Sequence, residues 1–120
     1  MAHFALVVED DALQRSLLCL LLEESQMEVI QCESAEAAER VLDRSGGCLS
    51  LMVTDVELAG PMTGLELAQA ATDRFPDLSV LVTSGSDIGV PAPAKFYPKP
   101  WLPLDILREA ELSMRNHQPA

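Results

Sequence analysis

Basic side chains are scarce in this chain of 120 residues. It has eight Lys and Arg residues but 19 Asp and Glu residues, which gives a formal net charge of −11. Non-selective binding to nucleic acid or to an anionic membrane requires a basic face, so this scarcity argues against both. The acidic excess suits a cation-binding site, although most of these carboxylates are expected on solvated helix surfaces.

Long hydrophobic runs are also missing. The longest apolar stretch, residues 17–22, is far shorter than the ~20 residues that span a bilayer. No basic region precedes the first apolar run, so we expect no signal peptide. The three cysteines form no C-x-x-C pair, and their odd number favours reduced thiols and a cytoplasmic location. Without repeats or low-complexity tracts, we expect one domain over residues 1–120.

Short apolar runs alternate with segments of helical periodicity. The predicted strands are Phe4–Val8, Glu28–Cys32, Leu49–Thr54, Leu78–Thr83 and Lys95–Pro98. Helices are predicted after Asp11 and Ser34, from Leu65 to Phe75 and from Leu102 to Arg115, the last with an apolar stripe of Leu104, Leu107, Ala110 and Met114. This alternation predicts an α/β fold, a parallel sheet with helices on both faces. The third strand has almost no polar interruption and is expected at the centre.

Polar residues with a common chemistry follow four of these strands. Glu9 and Asp10 follow the first strand, Asp55 the third, Ser84 the fourth and Lys99 the fifth. The carboxyl ends of parallel strands meet at one edge of a sheet, so these side chains are expected to converge. Mg²⁺ prefers oxygen ligands and is commonly held by one or two carboxylates together with a phosphate. The set therefore predicts a site for a divalent cation and a phosphoryl group.

Each of these residues, taken alone, has an ordinary structural alternative. The acids after the first strand could cap a helix, and Asp55 could begin a turn. Ser84 could mark a strand-to-turn transition, and Lys99 could be a surface lysine between two prolines. Three acids at one edge of one sheet are much harder to explain in this way. A cis peptide bond between Lys99 and Pro100 would help to aim the ammonium group at the acids.

In this order and on these strand ends, the residues resemble a receiver domain of a two-component response regulator, similar to the chemotaxis receivers. The similarity runs over essentially the whole chain. It implies a flavodoxin-like, doubly wound, five-stranded parallel sheet of order 2-1-3-4-5. It also implies a single-domain phosphoacceptor switch or relay rather than an enzyme, with a sensor histidine kinase or a histidine phosphotransfer protein as its partner.

The resemblance assigns the acids. Asp55 would be the nucleophile that takes a phosphoryl group from a phosphohistidine. Asp10, Asp55 and the backbone carbonyl of Glu57 would bind Mg²⁺, and Glu9 would assist through water.

The resemblance also assigns the remaining site residues. Lys99 and Ser84 would contact the phosphoryl oxygens, and Pro100 would form a rigid turn. The aromatic switch position falls at Phe96, with Tyr97 as its rival.

Thr83 and Ser84 are neighbouring hydroxyls, and strand alternation sends them to opposite faces, so only one can serve. We favour Ser84, because it precedes the small Gly85 as the hydroxyl of the family precedes a small residue.

The sequence departs from the family pattern between Ser84 and Lys99. Only fourteen residues separate them, and they include two glycines and three prolines. We therefore predict that the fourth helix of the family is absent or much shortened. Dimerisation through that helix becomes doubtful, which leaves a monomer or a weak dimer. Signalling is expected to use ordering of the 84–94 loop. Such short regions are similar to those of stand-alone receivers linked to alphaproteobacterial kinases.

Three other interpretations stay open. The chain could be a receiver cut from a longer regulator or hybrid kinase. It could be a pseudo-receiver that binds partners without phosphorylation, although every phosphorylation residue is present. A small-molecule phosphohydrolase is disfavoured, because Glu57 stands where such enzymes often place a second aspartate and no cap domain would enclose a substrate.

Overall fold

The computed structural model describes residues 2–86 and 89–117. Its strands form one parallel sheet of order β2-β1-β3-β4-β5. The strands are β1 (His3–Val8), β2 (Met27–Cys32), β3 (Leu49–Asp55), β4 (Ser79–Ser84) and β5 (Lys95–Pro98). The helices are α1 (Ala12–Glu24), α2 (Ala35–Ser45), α3 (Gly64–Arg74) and α4 (Pro103–Asn116), and a 3₁₀ turn (Gly46–Cys48) precedes β3. The predicted fold class and strand order are confirmed.

Two apolar layers enclose the sheet. Every residue of β3 is buried, as its continuous apolar sequence predicts for a central strand. Met52 and its neighbours pack against α2 and α3 on one face, while Val53 and its neighbours pack against α1 and α4 on the other. Successive side chains of a strand point to opposite faces, so this alternation fixes the face on which each polar residue at the strand end emerges.

The segment between β4 and β5 has no helix in its described residues, 85–86 and 89–94. Val90 and Ala94 instead pack directly against the layer that includes α3. The prediction that the fourth helix is absent or shortened is therefore confirmed for the described part of the segment. Asp87 and Ile88, which belong to the predicted signalling loop, lie outside the described residues.

The predicted apolar stripe of α4 is wrong in one respect. Leu104 is 71% exposed, whereas Ile106, Glu109 and Ser113 are buried together with Ala110. The helix is rotated because Ile106 fills the core, and because Glu109 turns inward to accept hydrogen bonds from Lys95 and Tyr97.

Within the described residues, no helix combines the length and the apolar character that crossing a bilayer requires.

Candidate functional site

Three carboxylates meet at the carboxyl edge of the sheet. Carboxylate oxygens of Glu9, Asp10 and Asp55 all lie within 4.8 Å of one another. They meet because β1 and β3 are neighbouring strands, and each delivers its acid where it ends. Glu9 is 1% and Asp55 5% exposed, whereas Asp10 is exposed. Glu9 and Asp55 are thus buried, while Asp10 is accessible to solvent.

Lys99 compensates the two buried acids. Its ammonium Nζ lies 3.0 Å from Glu9 Oε1 and 2.9 Å from Asp55 Oδ2. Its backbone N–H donates to the carbonyl of Ser84 at 2.8 Å, which ties the lysine to the end of β4. The Lys99–Pro100 peptide bond is cis, as the sequence analysis suggested. The structure brings Lys99 from the far end of the chain into direct contact with the acids.

The charge balance of the site is incomplete. Burial raises the pKa of Asp55 to about 6; the Lys99 hydrogen bond opposes this rise, and the neighbouring Glu57 and Glu9 carboxylates add to it. Burial disfavours the charge of Lys99, but its hydrogen bonds to Asp55 and Glu9 outweigh that effect, so its pKa is raised. One ammonium therefore does not neutralise the cluster.

The donor set fits a hard divalent cation. Glu9, Asp10 and Asp55 offer only oxygen ligands, which Mg²⁺ prefers. Lys99 supplies one positive charge to this group, so an excess of negative charge is left for a cation to balance.

Ser84 reaches the edge of the sheet, whereas Thr83 does not. The Ser84 hydroxyl donates to Glu57 Oε1 at 2.7 Å, two residues beyond Asp55, and accepts from the Ser86 N–H at 3.1 Å. Thr83 pairs with Asp55 in the ladder one step before the strand end, and its buried hydroxyl has no hydrogen-bond partner among the residues that the structure describes. This placement favours Ser84 over Thr83 as the hydroxyl of the site.

The Glu57 side chain accepts a hydrogen bond from Ser84 that the sequence did not predict. Its hydrogen bond from Ser84 is the largest of several causes that lower the pKa of Glu57. Its backbone N–H also donates to Asp55 Oδ1 at 3.2 Å. The position two residues after the nucleophile was the only signal for this contact; the resemblance assigned the backbone carbonyl there to Mg²⁺, and only the hydrolase interpretation considered the side chain.

The loop after Asp55 is closed by tight local contacts. The Gly64 N–H donates to the carbonyl of Val56 at 3.0 Å. Thr63 and Glu66 form a capping box at the start of α3. On the other side of the site, the Arg15 guanidinium donates to the carbonyl of Glu9 at 2.8 Å. These bonds hold the segments that carry the acids.

The aromatic residues of β5 diverge. Phe96 pairs with Val82 in the ladder and is half-buried. Tyr97 lies on the opposite face, where its hydroxyl donates to the buried Glu109. Burial and then the Glu109 carboxylate raise the pKa of Tyr97 to about 12. This contact was not predictable from the sequence, because acids on helices are ordinarily expected on the solvated surface.

A family model and a curated protein both match this chain. A model described as the response regulator receiver domain matches residues 5–90, which include Glu9, Asp10, Asp55 and Ser84 but end before Lys99. The curated response regulator receiver protein CpdR of Brucella abortus (strain 2308) is 32% identical over 114 residues, covering 88% of this chain and 92% of that protein.

Solved structures share the fold. A response regulator receiver domain protein (CheY-like) from Methanospirillum hungatei JF-1 matches with a TM-score of 0.85 and 21% identity, covering 98% of this chain and 97% of that one. A response regulator receiver protein from Sinorhizobium medicae WSM419 also matches with a TM-score of 0.85 and 21% identity, covering 98% of both chains.

Proposed function

This chain belongs to the response regulator receiver domain family, and from that premise we propose that it is a phosphoacceptor of a two-component or phosphorelay system with Asp55 as the phosphorylated residue. The observation that carries the proposal is the contact of Lys99 with both Glu9 and Asp55, at 3.0 and 2.9 Å, at the edge of the sheet. Among the described residues, Glu9 and Asp55 alone combine burial, a contact with Lys99 and two neighbouring carboxylates, and the family resemblance assigns the phosphoryl group to Asp55.

The proposed reaction is transfer of a phosphoryl group from a phosphohistidine to Asp55. A carboxylate oxygen of Asp55 attacks the phosphorus, the bond from phosphorus to the donor nitrogen breaks, and the histidine leaves and takes a proton from solvent. Phosphoryl transfer requires in-line positioning and charge stabilisation more than covalent chemistry. Lys99 provides a fixed positive charge where the phosphoryl oxygens would lie.

Mg²⁺ is the proposed cofactor. Glu9, Asp10, Asp55 and the backbone carbonyl of Glu57 would hold it, Glu9 through water. When bound, the ion would neutralise charge on the phosphoryl oxygens.

The partner that would supply the phosphoryl group is a sensor histidine kinase or a histidine phosphotransfer protein. Ser84 and Phe96 are the proposed switch residues, and Pro100 the rigid turn after Lys99. Phe96 cannot donate a hydrogen bond, so its response would be a packing change.

Treatment with acetyl phosphate and Mg²⁺, followed by intact-protein mass spectrometry, tests the proposal. The wild type should gain the mass of one phosphoryl group, and Asp55→Asn should gain none. Asp77→Asn, which changes an exposed aspartate before β4, is the matched control and should still be modified. An unmodified wild type would favour the pseudo-receiver, and catalytic turnover of small phosphoesters would favour the hydrolase.

A further inference from the structure

The Ser84 hydroxyl already has hydrogen-bond partners in this structure. A serine hydroxyl has one proton to donate, and Ser84 donates it to Glu57 Oε1 at 2.7 Å. Its oxygen also accepts from the Ser86 N–H at 3.1 Å. Ser84 cannot donate to a phosphoryl oxygen on Asp55 until it releases Glu57.

The bond between Ser84 and Glu57 is difficult for water to replace on the serine side. Ser84 is 0% exposed, so a released hydroxyl without a new partner would be a buried, unsatisfied donor. Glu57 is exposed, so its carboxylate can leave the serine and be solvated. The contact therefore has one fixed partner and one partner that can move away.

We propose that Glu57 is a positioning residue that holds Ser84 in the unphosphorylated arrangement and thereby sets how strongly this receiver responds to its phosphoryl group. Switching then exchanges one charge-assisted hydrogen bond, from Ser84 to Glu57, for another, from Ser84 to a phosphoryl oxygen. Because the two bonds are similar in kind, the strength of the Glu57 contact shifts the balance between the two arrangements. This inference rests on the proposed function of Asp55.

In a simpler role, Glu57 would act only through its negative charge and not through its hydrogen bond with Ser84. Its carboxylate lies beside Asp55 and would repel any anionic group there, whatever Ser84 does. Gln keeps an acceptor for Ser84 but loses the charge, whereas Ala loses both. Comparing Glu57→Gln with Glu57→Ala therefore separates the hydrogen bond from the charge, and repeating the comparison with Ser84→Ala shows whether the difference passes through the serine.

The experiment is a titration with beryllofluoride in the presence of Mg²⁺, followed by tryptophan fluorescence. Trp101 is the only tryptophan of the chain and lines the same cavity as Lys99. Glu28→Gln is the charge-matched control, because it removes an exposed carboxylate near the start of β2, at the opposite edge of the sheet from the site. Thermal unfolding confirms that each variant is folded.

We expect Glu57→Ala to bind beryllofluoride about fivefold more tightly than Glu57→Gln, which corresponds to the loss of about one neutral hydrogen bond. In the Ser84→Ala background the two variants should bind equally well, and Glu28→Gln should resemble the wild type.

Equal affinities of Glu57→Ala and Glu57→Gln in the Ser84 background would overturn the inference, as would a difference that persists in Ser84→Ala. Either result leaves the proposed function intact as long as the wild type binds and Asp55→Asn does not. If the wild type and Asp55→Asn both fail to bind, the proposed function itself is contradicted.

Discussion

Asp55 is a buried carboxylate whose charge the fold compensates only in part. It receives a hydrogen bond from Lys99, yet burial and the nearby acids still raise its pKa to about 6. In the unfolded chain the same group has an ordinary pKa near 3.8. Ionisation of Asp55 therefore lowers the free energy of unfolding, because the charged form is less favourable in the folded protein than in the unfolded chain. This loss of stability is absent below about pH 4, grows as the pH rises, and is fully present above about pH 6.

Asp55→Asn should for this reason stabilise the metal-free protein while it removes the phosphorylated residue. At pH 7.5 we expect a gain of roughly 3 kcal/mol in the free energy of unfolding, since the pKa rises by about two units and each unit corresponds to about 1.4 kcal/mol. The gain should shrink to near zero at about pH 4. Denaturant unfolding in EDTA at several pH values measures it, and a gain that is the same at all pH values would contradict the assigned pKa.

Thr83→Val should stabilise the protein without blocking phosphorylation. The Thr83 hydroxyl is buried without a hydrogen-bond partner in the described part of the chain, so its replacement by a methyl group of similar shape should add about 1 kcal/mol to the free energy of unfolding. Thermal unfolding and the acetyl phosphate reaction report the two effects. Loss of beryllofluoride binding in Thr83→Val, but not in Ser84→Ala, would reverse the choice of hydroxyl.

At the residue scale, the sequence predicted which side chains gather but not all of their partners. Glu9, Asp10, Asp55 and Lys99 were predictable because each lies within two residues of the carboxyl end of a strand, and parallel strands deliver such residues to one edge. The bond between Ser84 and Glu57 was not predictable, because it depends on how the loop after β3 turns rather than on any spacing.

The loop between β3 and α3 is the element on which the site depends most. A Cβ on Gly64 would lie 1.7 Å from the carbonyl oxygen of Asp55, far inside any permitted contact. The start of α3 therefore presses against the backbone of the proposed phosphorylated residue, and only glycine allows that approach.

Gly64→Ala should move this loop away from the site. We expect a loss of more than about 2 kcal/mol in the free energy of unfolding, together with slower phosphorylation of Asp55. Gly47→Ala is the control, because a Cβ there would meet nothing within 4 Å, and it should change stability by no more than about 0.5 kcal/mol. Similar behaviour of the two variants would show that the close approach at Gly64 is unimportant.

At the element scale, strand and helix positions followed from periodicity, and β5 was predicted with its observed bounds. The breakers between Ser84 and Lys99 predicted that residues 85–86 and 89–94, the described part of this segment, form no helix, because two glycines and two prolines within ten residues disfavour one. The rotation of α4 was not predictable. Leu104 continues the apolar pattern, but the buried hydrogen bonds of Glu109 to β5 decide which side of the helix faces the core.

For the whole molecule, the net charge of −11 and the acid cluster at the sheet edge predict that Mg²⁺ stabilises the fold. At a Mg²⁺ concentration of ten times the dissociation constant, the free energy of unfolding of the wild type should rise by about 1.4 kcal/mol beyond any effect of ionic strength. Asp10→Asn should lose most of this gain. Thermal unfolding in MgCl₂ and in NaCl of equal ionic strength separates the two effects, and equal shifts in both salts would contradict a specific cation site.

The most direct test of the account is to locate the phosphoryl group. After reaction with acetyl phosphate and Mg²⁺, borohydride reduces an acyl phosphate to the alcohol, so the modified aspartate becomes homoserine and peptide mass spectrometry identifies it. We predict homoserine at position 55 and at no other aspartate. An adduct on another residue, or no adduct on a folded protein, would contradict the account.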